Sequence, residues 1–257
     1  MAIPAFSPGA FALIVALAAA AAGSPAPPAG AALRQAVVVW HRWASPPRAG
    51  EVVLIDAAGV LAGATGAPLA RKLFAERERV HELAAYARRW RPFALRGAGG
   101  ELQFRGTGAE PAGAVERRMV REWARMVAAE AQAGARSGVY GLALVWERGD
   151  PQARGGEPCH TLQVWLGGTA RAGACAGARR RTDGLVRPAR MAALYRWIDE
   201  LAPLQLAAAE GGEGPPVRLL LAAAGRRAAA APERRAIEDF AAALHTELTA
   251  ATASPSS

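Results

Sequence analysis

Three blocks of this chain occur twice, in the same order, and that recurrence limits the possible folds more than any other feature. AVVVWHR (Ala36–Arg42) lies over LALVWER (Leu142–Arg148) at an offset of 106, matching Val39, Trp40 and Arg42 to Val145, Trp146 and Arg148. VHELAAYARRWRPFAL (Val80–Leu95) lies over MAALYRWIDELAPLQL (Met191–Leu206) at 111, so Leu83 falls on Leu194, Tyr86 on Trp197, Trp90 on Leu201 and Pro92 on Pro203. ERRMVREWARMVAAEA (Glu116–Ala131) lies over ERRAIEDFAAALHTEL (Glu233–Leu248) at 117, with Val120, Trp123 and Val127 on Ile237, Phe240 and Leu244. Self-similarity in fixed order is the signature of a repeated structural unit. We read a tandem duplication: a first repeat over residues 33–134, a second over 137–250, and the GARSG stretch from Gly134 to Gly138 between them.

Each repeat spells the same elements. A β-branched strand with one Trp comes first, then a Pro/Gly-rich link, ASPPRAG or GDPQARGGEP. A hairpin follows, EVVLIDAAGVLAGAT or TLQVWLGGTARAGAC, turning at Ala57-Ala58-Gly59 or Leu166-Gly167-Gly168. A helix is expected over Leu69–Arg91 and Pro188–Leu201. In the second, Met191, Leu194, Trp197, Ile198 and Leu201 recur at helical spacing. Pro92 and Pro203 end these helices, because Pro disfavours helix at the residue before it. Short strands at Leu102–Gly106 and Val217–Leu221 lead to a last amphipathic helix, with Glu116 or Glu233 in its first turn. The fold class is α+β, each repeat reading β-β-β-α-β-α with helices packed on a small antiparallel sheet.

The only two cysteines, Cys159 and Cys175, bracket the second hairpin. With the loop centred on Gly167, Trp165 pairs with Thr169, Gln163 with Arg171, Thr161 with Gly173 and Cys159 with Cys175. The thiols then share a face at a separation a disulfide accepts. A metal site needs more ligands, and His160 points to the opposite strand face. A redox pair favours Cys-x-x-Cys or a comparably close pair. A structural disulfide is the expectation, stabilising the hairpin by about 3 kcal/mol. In the first repeat the matching ends lie near Glu51 and Thr65, without the bridge. Alternation puts Leu162, Val164 and Leu166 on the core face, with Gln163, Trp165, Arg171 and the disulfide opposite. Trp165 is either an aromatic anchor for a partner or a ring buried against the other repeat or under a loop.

The N-terminus, MAIPAFSPGAFALIVALAAAAAGSPAPPAGAA, carries an uncharged apolar run from Phe11 to Ala22. Such a run is short for a membrane span and reads as the core of a signal peptide, residues 1–22, followed by a flexible Pro/Ala-rich segment, 23–32. Residues 251–257 read as a disordered tail. The expected location is secreted or periplasmic, with no integral membrane span.

The formal charge is +9, but Lys72 is the only lysine and the arginines are scattered in pairs among glutamates. That pattern does not indicate nucleic acid. The single dense cluster, Arg179-Arg180-Arg181, reads first as a solvated loop and otherwise as an anion contact. His41, His81, His160 and His245 sit at non-equivalent places in the repeats, and no nucleophile-elbow, zinc-helix, phosphate-loop or dinucleotide pattern occurs. No catalytic residue, metal ligand or cofactor is expected, and the chain is expected not to be an enzyme.

The second repeat resembles a group of uncharacterised exported bacterial proteins with a Trp strand and a Cys-bracketed hairpin. It carries LVWER, the Cys-hairpin-Cys, MAALYRWIDELAPLQL, VRLLLAAAG and ERRAIEDFAAAL in that order. It is more distantly similar to emfourin, a small inhibitor of thermolysin-like metallopeptidases, over Leu142–Leu248, with a weaker echo over Ala36–Ala131. The link GDPQARGGEPC is longer than the compact Gly-Gly stretch of that family. The resemblance implies a non-enzymatic binding protein whose partner is a secreted or periplasmic peptidase. Contacts are expected from the links Ala44–Gly50 and Gly149–Pro158, with Gly155 and Gly156, and from Trp165 and Arg171. The rival expectation is an envelope-structural or polyanion-binding protein using Arg179, Arg180 and Arg181.

Overall fold

A computed structural model of the chain describes residues 36–43, 50–57, 59–65, 70–73, 78–133, 141–149, 159–175, 181–206 and 215–253. The first half contains β1 (Val38–Arg42), β2 (Glu51–Asp56), β3 (Gly59–Ala64), β4 (Ala70–Leu73), α1 (Glu78–Arg89), β5 (Phe93–Gly97), β6 (Gly100–Phe104) and α2 (Ala114–Ala133). The second contains β7 (Leu142–Arg148), β8 (His160–Trp165), β9 (Thr169–Ala174), β10 (Arg181–Leu185), α3 (Pro188–Glu200), β11 (Leu204–Leu206), β12 (Val217–Leu221) and α4 (Ala231–Ala253). The class is α+β. Each half has its own six-stranded sheet, in the order β4-β3-β2-β1-β6-β5 and β10-β9-β8-β7-β12-β11. Every pairing in both sheets is antiparallel.

The likeness extends to single hydrogen bonds. After β6 and after β12 the chain runs back beneath the end of the preceding helix, forming a clasp. Thr107 N–H donates to the Ala87 carbonyl at 2.7 Å, and Ala224 N–H to that of Ile198 at 2.8 Å. Arg91 N–H donates to Glu110 and Ala202 N–H to Arg227, both at 2.8 Å. Glu110 N–H reaches Arg89 at 3.1 Å, and Arg227 N–H reaches Glu200 at 3.3 Å. Gly108 and Gly225 lie where the clasp passes closest to the helix. An ideal Cβ would stand 2.1 Å from the Arg89 carbonyl carbon in one and 2.2 Å from that of Glu200 in the other, so only glycine fits.

Two elements of each half differ from the expected order. The span Leu69–Arg91 is not one helix: residues 70–73 form β4, paired with β3, and the helix begins at Glu78. After Pro92 and Pro203 the chain forms β5 and β11 instead of a plain connection. Each half is therefore β-β-β-β-α-β-β-α. The four are edge strands of three to five residues, paired on one side only and too short to show a period of their own.

Alternation sorts the faces. Val38, Trp40, Val53, Ile55, Val60, Leu102 and Phe104 of the first sheet are buried in the same apolar cluster as Trp146, Leu162, Val164, Ala172 and Leu219 of the second, with helical residues of both halves. Burial of this apolar area is the main stabilising term. The opposite faces differ. In the first sheet the cross-strand row Val39, Leu54, Leu61 is apolar and buried. The matching row of the second is Val145, Gln163, Arg171.

Candidate functional site

The hairpin β8–β9 forms in the register the cysteines predict: Gln163 faces Arg171 and Thr161 faces Gly173. Cys159 and Cys175 are joined as a disulfide with their Cα atoms 5.3 Å apart, and Cys175 N–H donates to the Cys159 carbonyl at 3.0 Å. The first half closes the same place without sulfur: Thr65 N–H donates to the Gly50 carbonyl at 2.7 Å.

Trp165 is no exposed anchor. Only 5% of it is accessible, and the Arg171 guanidinium lies 5.7 Å from the ring centre. Arg171 also grips Asp183 of β10 through two bonds, at 2.7 and 3.1 Å. The arginine that was to contact a partner therefore ties β9 to the edge strand and covers the indole. Gly155, Gly156, Arg179 and Arg180 lie outside the described residues, as do the expected signal peptide and nearly all of both contact links. Arg181 is exposed at the start of β10.

Among the described residues the exposed aromatic is Trp43, with 57% of its surface accessible. It follows β1 directly, at the root of the first Pro-rich link. Its N–H approaches the Gly99 carbonyl at 3.4 Å, a long contact. Beside it Arg42 pairs with Glu51 at 2.8 Å and lies 5.0 Å from the Trp40 ring centre. At the same place the second half has Gly149, whose φ of 100° suits glycine. Trp43 was missed because the sequence pattern weighs alternation within strands, and this residue lies one beyond the strand's end. The signal available was a large ring with no partner in the repeat, next to Ala-Ser-Pro-Pro.

Where the halves meet, a shallow cleft of about 400 Å³ is lined by Val115, Arg118, Tyr195, Arg196, Asp199 and Glu200, among others. Arg118 of α2 binds both oxygens of Asp199 on α3, at 2.5 and 2.8 Å, and its guanidinium carbon stands 4.0 Å from the Tyr195 ring centre. The hydrogen bond to Asp199 raises the Arg118 pKa, and the same bond lowers that of Asp199. Burial pushes the Tyr195 phenol well above its usual range, and its hydroxyl donates to the Leu166 carbonyl at 2.5 Å. Arg118 and Asp199 thereby join α2 of one half to α3 of the other, while the buried Arg118 Nε makes no hydrogen bond among the described residues.

His160 and His245 meet edge to face with ring centres 4.9 Å apart, beneath α4. Burial lowers the His245 pKa, and the neighbouring His160 lowers it further; an interaction between Nε2 and the Gly173 carbonyl, at 3.3 Å, opposes this. No group of three or more metal-ligating side chains occurs among the described residues. Among them, too, no helix is long and apolar enough to cross a membrane. No family model, curated protein or solved structure matches this chain.

Proposed function

We propose that the protein is an exported, non-enzymatic binding protein that docks a protein partner at the end of the first sheet, with Trp43 as its aromatic anchor. The exposed indole at the end of β1 carries this reading. Rigid aromatics contribute large contact area at little entropic cost and dominate protein interfaces. The disulfide favours an oxidising compartment, in line with the leader-like run Phe11–Ala22. The partner suggested by the emfourin resemblance is a secreted or periplasmic metallopeptidase of the thermolysin type.

Titration of a thermolysin-type peptidase with the full chain, at low and high salt, tests this. The reading predicts salt-insensitive inhibition. Trp43→Ala weakens it by about tenfold or more with the unfolding midpoint unchanged, since exposed hot-spot aromatics matter to binding rather than folding. Replacing Gly155-Gly156 removes it. No inhibition, with steeply salt-dependent retention on heparin, moves the assignment to the polyanion-binding class and to Arg179–Arg181.

A further inference from the structure

The two clasps use the same backbone and opposite charges. In the first half Arg89, at the end of α1, pairs with Glu110 at 2.9 Å. In the second half the helix-end position is Glu200 and the clasp position is Arg227, 3.4 Å apart. Arg227 also forks onto Glu233 at 2.6 and 2.7 Å, and those bonds hold the Glu233 carboxylate down at about 2. The counterpart of Glu233 is Glu116. The main-chain hydrogen bonds of the clasp and the glycine pair Gly108 and Gly225 are common to both halves and cannot tell one helix from the other. The first clasp adds side-chain bonds from Arg91 Nε to the Ala109 carbonyl at 2.6 Å and from Thr107 Oγ1 to the Ala87 carbonyl at 3.3 Å, where the second has Ala202 and Ala224, and its Gly106 is matched by Ala223.

We propose that the reversed charges make each clasp specific for its own helix and exclude a crossed pairing between the halves, in one chain or between two copies of it. In the crossed arrangement Glu110 faces Glu200 and Arg227 faces Arg89, so two attractions become two repulsions. Exposed ion pairs add little to the stability of the correct fold. Like charges brought together act on the wrong one, which is how charge patterns give specificity. Two like halves on one chain make misassembly between them the characteristic folding error.

The full chain carrying Arg89→Glu with Glu110→Arg keeps an ion pair in the native clasp but gives it the polarity of the second half. Crossed pairing then becomes attractive. The expected result is an unchanged denaturation midpoint, with the yield of monomer refolded from denaturant reduced severalfold and replaced by oligomers. Arg89→Gln with Glu110→Gln removes the charges and should give an intermediate yield. A monomer yield equal to the parent's in both variants overturns the proposal. So does a fall in yield that only tracks a lowered midpoint.

Discussion

The turns β2–β3 and β8–β9 occupy the same place in two sheets of one topology and are held by opposite means. The first is tied to itself: the buried Asp56 carboxylate accepts the Gly59 N–H at 3.0 Å. The second is held from outside. Tyr195 of α3, in the turn's own half, donates to the Leu166 carbonyl, and Tyr86 of α1, from the first half, donates to that of Gly167. Helix α2 presses on the same turn. A Cβ on Gly167 would lie 2.9 Å from the Trp123 Cβ, and one on Gly168 would lie 2.3 Å from the Met119 methyl. Glycines at this turn thus serve the approach of the first half, beyond any need of the hairpin itself.

The same contrast runs through the two last helices. Met119 and Met126 of α2 are buried, against Gly168 and Gly141 of the second half. The matching positions of α4 are Ala236 and Ala243, both exposed. Arg118, locked onto Asp199, matches the exposed Arg235. The inward faces agree: Tyr86 meets Trp123 edge to face at 6.3 Å, and Trp197 meets Phe240 likewise at 5.4 Å. The difference teaches which substitutions preserve the fold and which record the contact between halves. The joint uses α2 and the second turn, and the equivalent α4 face carries alanines in place of the methionines.

Substitutions can break this comparison, and the largest effect is expected at Trp123. Trp123→Ala removes a fully buried ring that serves both its own core and the joint, and also the bond from its Nε1 to Glu82 at 2.6 Å. A loss of about 3–5 kcal/mol is expected in denaturant titrations, with the halves unfolding in separate steps. Phe240→Ala should cost a comparable amount while leaving the first half folded. Next, replacing Cys159 and Cys175 by Ser should cost about 3 kcal/mol, felt in the second half. Gly50→Cys with Thr65→Cys, at the matching hairpin end, should raise the stability of the first if a bridge forms, as read by melting with and without reductant. Met119→Ala and Met126→Ala, which give α2 the residues of α4, should each cost about 2 kcal/mol. Their signature is a weaker joint, seen as faster amide exchange in the β8–β9 turn.

The smallest effect is a pH dependence confined to the second half. His245 has a folded pKa below its ordinary 6.5, so between those values the unfolded chain binds the extra proton. Stability is therefore full above about pH 6.5 and declines as pH falls through that window. The position matches Ala128 of α2, and His245→Ala should flatten this slope in melting temperature against pH, leaving any loss at lower pH that comes from Asp199 and Glu233.

Much of this was legible in the sequence, and the reasons for the rest are physical. The alternation in TLQVWLGGTARAGAC and the midpoint at Gly167 predicted the hairpin register and the disulfide, because side-chain period and turn position leave few choices. The matched blocks marked both long helices and the central strands. The edge strands β4, β5, β10 and β11 escaped, since their pairing comes from neighbours and not from their own pattern. The fate of the tryptophans escaped as well. Trp165 was open to two readings and Trp43 lay outside the strand pattern, and only the fold shows that Arg171 lies against one while the other stands exposed at a strand end. The alanines of α4 and the methionines of α2 were visible, but their meaning needed the position of the other half.

The most direct test of one fold used twice is native-state amide hydrogen exchange of the full chain, residue by residue, on the matched clasp amides. Protection of both members of each pair is predicted: Arg91 with Ala202, Thr107 with Ala224, Gly108 with Gly225 and Glu110 with Arg227. Protection in one half, with the matching amides of the other exchanging at unfolded-chain rates, would contradict it.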